Sequence, residues 1–442
     1  MIFIGRKRLY LTVIYLDRNT KKGCMLMGEV IKQGALKGLK VLELGSLIAG
    51  PFAGRLMADF GAEVIKVEPP GKGDPIRNWR LLYEGTSLWW FVQSRNKKSI
   101  SLDLRKTEAQ EIIRELTNEV DIIIENFKPG TMEKWGLGYE DLKIINPKII
   151  MVRVSGYGQD GPYRNKPGFG SIGEAMGGIR YLTGYPDRPP TRVGVSLGDS
   201  VTALYAVMGA LMAVYHRDQP GGEGQCVDVA LYESIFSLME SAVPEYDHYG
   251  VIRERTGSTL PGIAPSNTYL CRDGKYIVIG ANGDGIFKRL MDVVERPDLR
   301  DDHKFSNNDG RVQNAEYLDE VIGGWTIQHN LADALVLLDD SDIPAGAIYS
   351  VEDMMHDPHF LAREMIYKMD VEGLGQLKVP GIVPKLSKTP GSINWAGPKL
   401  GEHTEQVLKV ELELAEDKYD EWLASGVISD HETSKLKNNN TK

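Results

Sequence analysis

Residues 40–71, KVLELGSLIAGPFAGRLMADFGAEVIKVEPPG, decide the fold class. KVLELG at 40–45 reads as a buried strand. Pro51 suits a first helical turn, because its missing N–H would have no intrahelical partner there. Residues 52–60 carry apolar side chains at helical spacing, and Gly61 suits a C-terminal cap. EVIKVE at 63–68 is a second strand. Together they form a compact βαβ unit, with parallel strands and a right-handed crossover. Gly45, Gly50 and Gly54 lie in its turn and helix, but their spacing is not G-x-G-x-x-G, so a dinucleotide site has little support.

The alternation continues outward. Residues 98–104 read as a strand, framed by Asn96, Lys97, Lys98, Arg105 and Lys106, a candidate contact for phosphate or carboxylate. The competing reading is a solvated strand edge carrying lysines. Residues 107–119 form an amphipathic helix with Ile112, Ile113 and Leu116 inward. VDIIIE at 120–125 is a near-continuous apolar strand of the kind buried on both faces of a parallel sheet. Asn126, Phe127, Lys128, Pro129 and Gly130 follow at its C-terminal end, where open α/β sheets bind ligands. A strand at 148–154 leads into the glycine-rich SGYGQDGPYRNKPGFGS. Strands thus alternate with helices to about residue 230, giving a doubly wound sheet.

Residues 192–217, RVGVSLGDSVTALYAVMGALMAVYHR, contain the longest helical pattern. Apolar residues surround nearly the whole cylinder over 200–215, which predicts burial in a large core. Small residues at 203, 206, 210 and 213 form a face for close packing. The exception is Asp199, beside Gly198 at the first turn. It has two readings: a helix N-cap, or a reactive carboxylate that the helix N-terminus keeps ionised.

Beyond residue 230 the rhythm changes. A strand over 225–230 and a helix over 231–241 precede a loop-like stretch at 244–270. A strand at 276–281, helices at 285–295, 312–323 and 331–339, and a strand at 345–350 then predict a second, smaller α/β domain over 245–350. The large domain is expected to be discontinuous, 31–240 plus 355–430. Residues 1–30 read as an N-terminal extension, with Met25 or Met27 as the functional start, and 431–442 as a disordered tail. Arg6, Lys7 and Arg8 precede a short apolar run, but no small-residue cleavage site follows, so a signal peptide is rejected.

Composition narrows the function. The 442 residues carry 52 Lys plus Arg against 61 Asp plus Glu, a net charge of −9. That argues against a nucleic-acid partner, whose binding surface is basic. No apolar run is expected to be long enough to span a membrane. Cys24, Cys226 and Cys271 are widely spaced and form neither a disulfide framework nor a zinc pattern, which fits a cytoplasmic protein. The eight histidines are scattered, and His356 and His359 have no partner set for a metal. There is no G-x-S-x-G elbow, no Walker lysine motif, and no base in the sequence to pair with a cysteine. From residue types alone, this is an α/β enzyme with an anionic ligand.

Six stretches carry a resemblance that goes further: VLELGSLIAGPFAGRLMADFGAEVIKVEPPGKGDPIR, RNKKSISLDLR, IIIENFKPGTMEKWGLGYEDL, SGYGQDGPY, GDSVTALYAVMGALMAVYHR and LGEHTEQVL. They resemble, in the same order, the family III CoA-transferases of the CaiB/BaiF type, which include formyl-CoA, carnitine and succinyl-CoA:dicarboxylate transferases. The resemblance implies that Asp199 is the catalytic nucleophile. Its carboxylate attacks an acyl-CoA thioester, and transfer passes through an aspartyl anhydride and an aspartyl-CoA thioester. No permanent cofactor and no metal are implied; the CoA thioester is a substrate. Carried over by position, CoA contacts fall at Ile48 and Ala49, Leu102 and Arg105, Asn126, Phe127 and Lys128, Lys134, and the loop from Lys166 to Phe169. The family also implies an interlocked homodimer.

Two departures bear on the substrate. The formyl-CoA branch has arginine after the glutamate that ends the second strand, where this chain has Pro69. It also has four consecutive glycines where this chain has GSTLPGIAPSN. The resemblance therefore points to succinyl-CoA or a similar donor with a carboxylic or dicarboxylic acceptor. One alternative is an α-methylacyl-CoA racemase on the same fold, whose proton-carrying histidine would match Phe169. Phenylalanine cannot carry a proton. The other alternative is a CoA-binding protein without turnover, against which the intact Asp199 counts.

Overall fold

The computed structural model describes residues 34–431. The expected extension over 1–30, and all but the first residue of the expected tail, lie outside them. A seven-stranded sheet organises the described chain. Its parallel strands are β1 (Lys40–Glu43), β2 (Glu63–Glu68), β3 (Lys97–Leu102), β4 (Ile122–Glu125), β5 (Ile150–Ser155) and β6 (Cys226–Ala230). The spatial order is β3-β2-β1-β4-β5-β6, with Ile428–Ser429 added antiparallel to β3. This is the doubly wound Rossmann order. Val41 pairs with Val64 on one side and Ile122 on the other, so the direction of winding reverses between β1 and β4. The crevice beyond the carboxyl ends of these two strands is the topological switch point.

The period-2 geometry of strands splits the apolar residues between two cores. Val41, Ile122, Ile124, Ile150 and Val152 face one layer together with Ala53, Met57 and the small side chains of the long helix. Leu42, Ile123 and Met151 face the other, against Ile112, Ile113, Leu116, Val407 and Trp422. Each fully buried isoleucine contributes about 1.5–3 kcal/mol of transfer free energy, so the run Ile122–Ile124 stabilises the central strand from both faces.

The long helix runs Leu197–Arg217. Ala203, Ala206, Ala210 and Ala213 are its buried face, spaced 3, 4 and 3, and they let it approach the sheet closely. Val227 stands where a side chain at Gly209 would go. The expected all-round burial is not found. Leu204, Met208, Met212 and Tyr215 are exposed on the opposite face, because no other described residue covers them. By length and composition this helix could cross a membrane; its packing against β5 and β6 is that of a helix in a layered α/β fold. The Arg217 guanidinium donates to Asp121, just before β4, at 2.8 Å. Asp199, eighteen residues away, is about 27 Å along the axis, longer than the roughly 20 Å of a six-residue strand. The helix therefore delivers Asp199 to the carboxyl edge of the sheet.

The second unit has its own core, including Tyr269, Ile277, Ile279, Phe287, Leu290, Leu318, Ile322 and Leu338. Its sheet is antiparallel, with Tyr276–Gly280 between Ser266–Leu270 and Ala345–Ala347. Helices Asp284–Val293, Ala315–Thr326 and Leu331–Asp339 cover it. The stretch read as loop-like at 244–270 includes most of a helix, Ala242–Tyr249, and the strand Ser266–Leu270. That helix buries no residue and the strand is short, so neither shows a clear apolar period. The expected helix over 231–241 is shorter, Leu231–Phe236.

Candidate active site

A cleft of about 1070 Å³ opens over the carboxyl ends of β1, β2, β3 and β4. Gly45 and Ser46 lie on its floor, Leu102 and Arg105 on the β3 side, and Phe127 on the β4 side. Phe127 stacks edge-on against Trp135 with centroids 5.3 Å apart. Arg105 is a predicted cation on this rim, with its side chain 84% exposed and resting on Asp103 through two 2.8 Å hydrogen bonds. Lys72 and Lys399 also line the cleft.

The other predicted contacts take different places. Asn126 ties the two turns of the switch point together: its Oδ1 accepts from the Ser46 N–H and its Nδ2 donates to the Ser46 carbonyl, both at 2.8 Å. Gly45 is required beside it, since a Cβ there would come 2.9 Å from that oxygen. Ile48 and Ala49 are buried at the start of helix Ala49–Asp59, which leaves the backbone of that turn as the part able to meet a ligand. Lys128 and Lys134 are exposed beyond the end of β4. Lys166 is exposed over the Tyr163 ring at 3.5 Å, and Phe169 is exposed immediately before helix Gly170–Met176.

The positive charge expected around β3 is a different matter. Lys97 is fully buried, donating to Glu43 and to the Pro51 carbonyl at 2.7 Å each. Lys98 is shared between Glu63 and Glu411. Asn96 is buried and donates to Asp59 and the Ser392 carbonyl. These three groups are structural, and Lys97 belongs to a larger network under the cleft. Lys66 bridges Glu43 and Asp74 at 2.9 Å and reaches the Gly45 carbonyl at 2.8 Å. Asp74 accepts from the Leu47 N–H. Arg77 holds Glu68 through two hydrogen bonds and lies over the Trp90 ring. Three buried cations balance three buried carboxylates, which is the condition for carrying charge in a low-dielectric interior. The network fixes the turn at 45–48, where Leu47 adopts φ +67°. Nothing in the sequence marks these charges as buried, because each looks like an ordinary surface residue until the strands align them.

Asp199 lies in the first turn of its helix, half-buried. Ser196, not Asp199, is the cap residue, and it makes no side-chain cap hydrogen bond, so the capping reading is overturned. A Cβ on Gly170 would collide with the Asp199 carboxylate, and one on Gly198 would come 2.8 Å from the Gly170 carbonyl. Two glycines thus let helix Gly170–Met176 approach the carboxylate. Burial, and then the neighbouring Glu174, push the Asp199 acid up to about 6, against the opposing effect of Arg192. The helix start does not by itself keep the group strongly ionised, as its position suggested; burial and Glu174 outweigh it. Glu174 is buried, accepts from the Gly198 N–H at 3.1 Å, and pairs with Arg180 at 3.0 Å. Glu174, Arg180 and Arg192 have no signal in the sequence: only the fold sets this short helix and the following loop against residue 199.

Asp199 does not line the cleft of the single chain. Both stand on the same edge of the sheet, the cleft over β1–β4 and Asp199 over β5 and β6. The arrangement offers a large groove with cations at its rim, and a half-buried carboxylate poised near neutrality.

A family model, CoA-transferase family III, matches residues 36–404. The chain belongs to this family. A succinyl-CoA–D-citramalate CoA-transferase of Chloroflexus aurantiacus is 52% identical over 383 residues, covering 86% of this chain and 95% of the relative. A succinyl-CoA:glutarate CoA-transferase of Homo sapiens is 34% identical, covering 90% and 91%. Among solved structures, a CAIB/BAIF family protein from Brucella suis superposes with a TM-score of 0.76 at 36% identity, covering 86% of this chain and all of that one. As a family III CoA-transferase the chain is an enzyme acting on CoA thioesters.

Proposed function

We propose that the enzyme moves CoA from succinyl-CoA, or a similar acyl-CoA, to a carboxylic acid, with Asp199 as nucleophile. The observation that carries this is the setting of Asp199: a carboxylate at the carboxyl edge of the sheet, flanked by two glycines and half-withdrawn from water. The relatives named above as succinyl-CoA transferases support the choice of donor.

An Asp199 oxygen attacks the thioester carbonyl. The C–S bond breaks, its electron pair leaves on sulfur as CoA thiolate, and an acyl–aspartyl anhydride remains. The thiolate attacks the aspartyl carbonyl, forming an aspartyl-CoA thioester and releasing the donor acid. The acceptor carboxylate then attacks that thioester, expelling thiolate and forming a second anhydride. Attack of the thiolate on the new acyl carbonyl gives the product acyl-CoA and restores Asp199. No proton is consumed and one thioester replaces another. Covalent catalysis divides the exchange into easier steps, binding energy from the remote CoA body offsets anhydride formation, and exclusion of water protects the anhydride.

In this reading CoA lies along the cleft, with Arg105 and Lys134 available to its phosphates, the turn at Ile48 and Ala49 and the Asn126–Lys128 segment along its body, and Lys166 to Phe169 beside the thioester. Residues 31–240 with 355–430 form the CoA-binding domain, and 245–350 the smaller one. The active form is a homodimer in which a second copy covers the exposed apolar face of helix Leu197–Arg217, where Leu204, Met208, Met212 and Tyr215 lie in a row. A patch of this kind is characteristic of interfaces.

The test is to incubate the enzyme with succinyl-CoA and a panel of carboxylic acids and to follow new acyl-CoA by mass spectrometry. Asp199→Ala is expected to abolish transfer while CoA still binds. Transfer by the variant, or none by the wild type across the panel, overturns the proposal.

A further inference from the structure

The residues around Asp199 do more than tune it. Glu174 Oε2 faces two guanidiniums, with Arg180 Nη2 at 3.0 Å and Arg192 Nε at 4.0 Å. Its other oxygen accepts from the Gly198 N–H. One buried carboxylate is thus shared by two arginines that hold many more donors than it can receive. Arg180 Nε is buried and makes no hydrogen bond. Arg192 is 52% exposed and, among the described residues, has only the long contact at 4.0 Å. Its positive charge nevertheless acts on Asp199. The local balance is two guanidiniums against two carboxylates while Asp199 is ionised. Acylation of Asp199 removes one negative charge and leaves one guanidinium unmatched, beside the new acyl group.

We propose that Arg192, supported by Arg180, binds the free carboxylate of a dicarboxylic donor or acceptor next to Asp199, and so makes the enzyme prefer dicarboxylic over monocarboxylic acids. The inference rests on the transfer reading above and names the specificity element within it. A succinyl group on Asp199 carries its second carboxylate three carbon–carbon bonds from the reacting carbonyl carbon, within reach of a neighbouring side chain. Arginine suits the task, since its planar donors match a carboxylate bidentately. The unmatched charge appears only once the acyl group is attached, so the interaction strengthens along the reaction, as differential binding requires.

The test compares wild type with Arg192→Gln, using the full chain, one common donor (succinyl-CoA), and glutarate against valerate as acceptors. The glutarate-to-valerate ratio of kcat/KM is expected to fall tenfold or more in the variant, mainly through a higher KM for glutarate. The Kd of free CoA is expected to stay unchanged, and Arg192→Lys should recover part of the ratio. Where valerate transfer is too slow to read, the rise in glutarate KM against an unchanged CoA Kd is decisive. A glutarate KM and an acceptor ratio within twofold of wild type, even with lower overall rates, overturn the inference and leave the transfer reading standing. A wild type that transfers CoA to neither acid refutes the transfer reading and this inference with it.

Discussion

Replacing Asp199 by asparagine removes a charge that the fold opposes, so the variant is expected to be more stable than the wild type at neutral pH and, on the proposed mechanism, inactive. The carboxyl is raised from its ordinary 3.8 to about 6, first by burial and then by Glu174. An acid whose native pKa lies above its unfolded value keeps its proton longer when folded. Stability from this group is therefore greatest below about pH 4, falls as pH rises toward about 6, and is flat above. At roughly 1.4 kcal/mol per tenfold change in dissociation, the gap is worth up to about 3 kcal/mol at pH 8. Solvent at the half-exposed edge reduces this to about 1–2 kcal/mol. Thermal midpoints of the two proteins, measured from pH 4 to pH 8 at one protein concentration, should converge at the acid end and separate by a few degrees at the alkaline end. If Asp199 is the nucleophile as proposed, wild-type kcat/KM should in parallel drop about tenfold per pH unit below about 6, as its carboxylate is protonated. A difference in midpoint that does not change with pH would refute the account of Asp199 as a carboxylate destabilised by burial and by Glu174.

Two further outcomes follow from the same geometry. Gly170→Ala places a methyl group against the Asp199 carboxylate; steady-state kinetics should record a loss of kcat of roughly 100-fold, as expected when a reacting group is displaced by about 1 Å, with CoA affinity retained, and unimpaired turnover would mean the carboxylate has other room. Met212→Glu sets a charge in the exposed apolar row of helix Leu197–Arg217; if a second copy covers this face, analytical ultracentrifugation should show dissociation of the dimer, whereas an unaltered dimer places the interface elsewhere.

The chain's local chemistry carried much of the fold. The segment at 40–71 shows its strand, helix and strand through period 2, period 3.6 and the positions of Pro51 and Gly61, and each lies within a few residues of its expected bounds. The apolar run at 122–124 marks a strand covered on both faces, and both faces are covered. Asp199 stood out because a single charge interrupts a long apolar pattern. These are signals between residues near each other in the chain, where the backbone period alone says what faces what.

What the tertiary structure decided is the fate of the charges. Lys97 and Lys98 look like Arg105 in sequence, yet Lys97 is buried on Glu43, Lys98 is held by Glu63 and Glu411, and Arg105 stands at the rim of the cleft. Glu174 and Arg192 meet Asp199 only because a short helix and a loop fold back across the start of the long one. A charge has no period and no preferred neighbour in the sequence; its environment is set by which strands pair and which helices cross. Residues near in sequence therefore determined the scaffold and singled out the carboxylate, while contacts between distant segments alone decided how readily Asp199 ionises, which cations remain available, and which face of its helix is left uncovered.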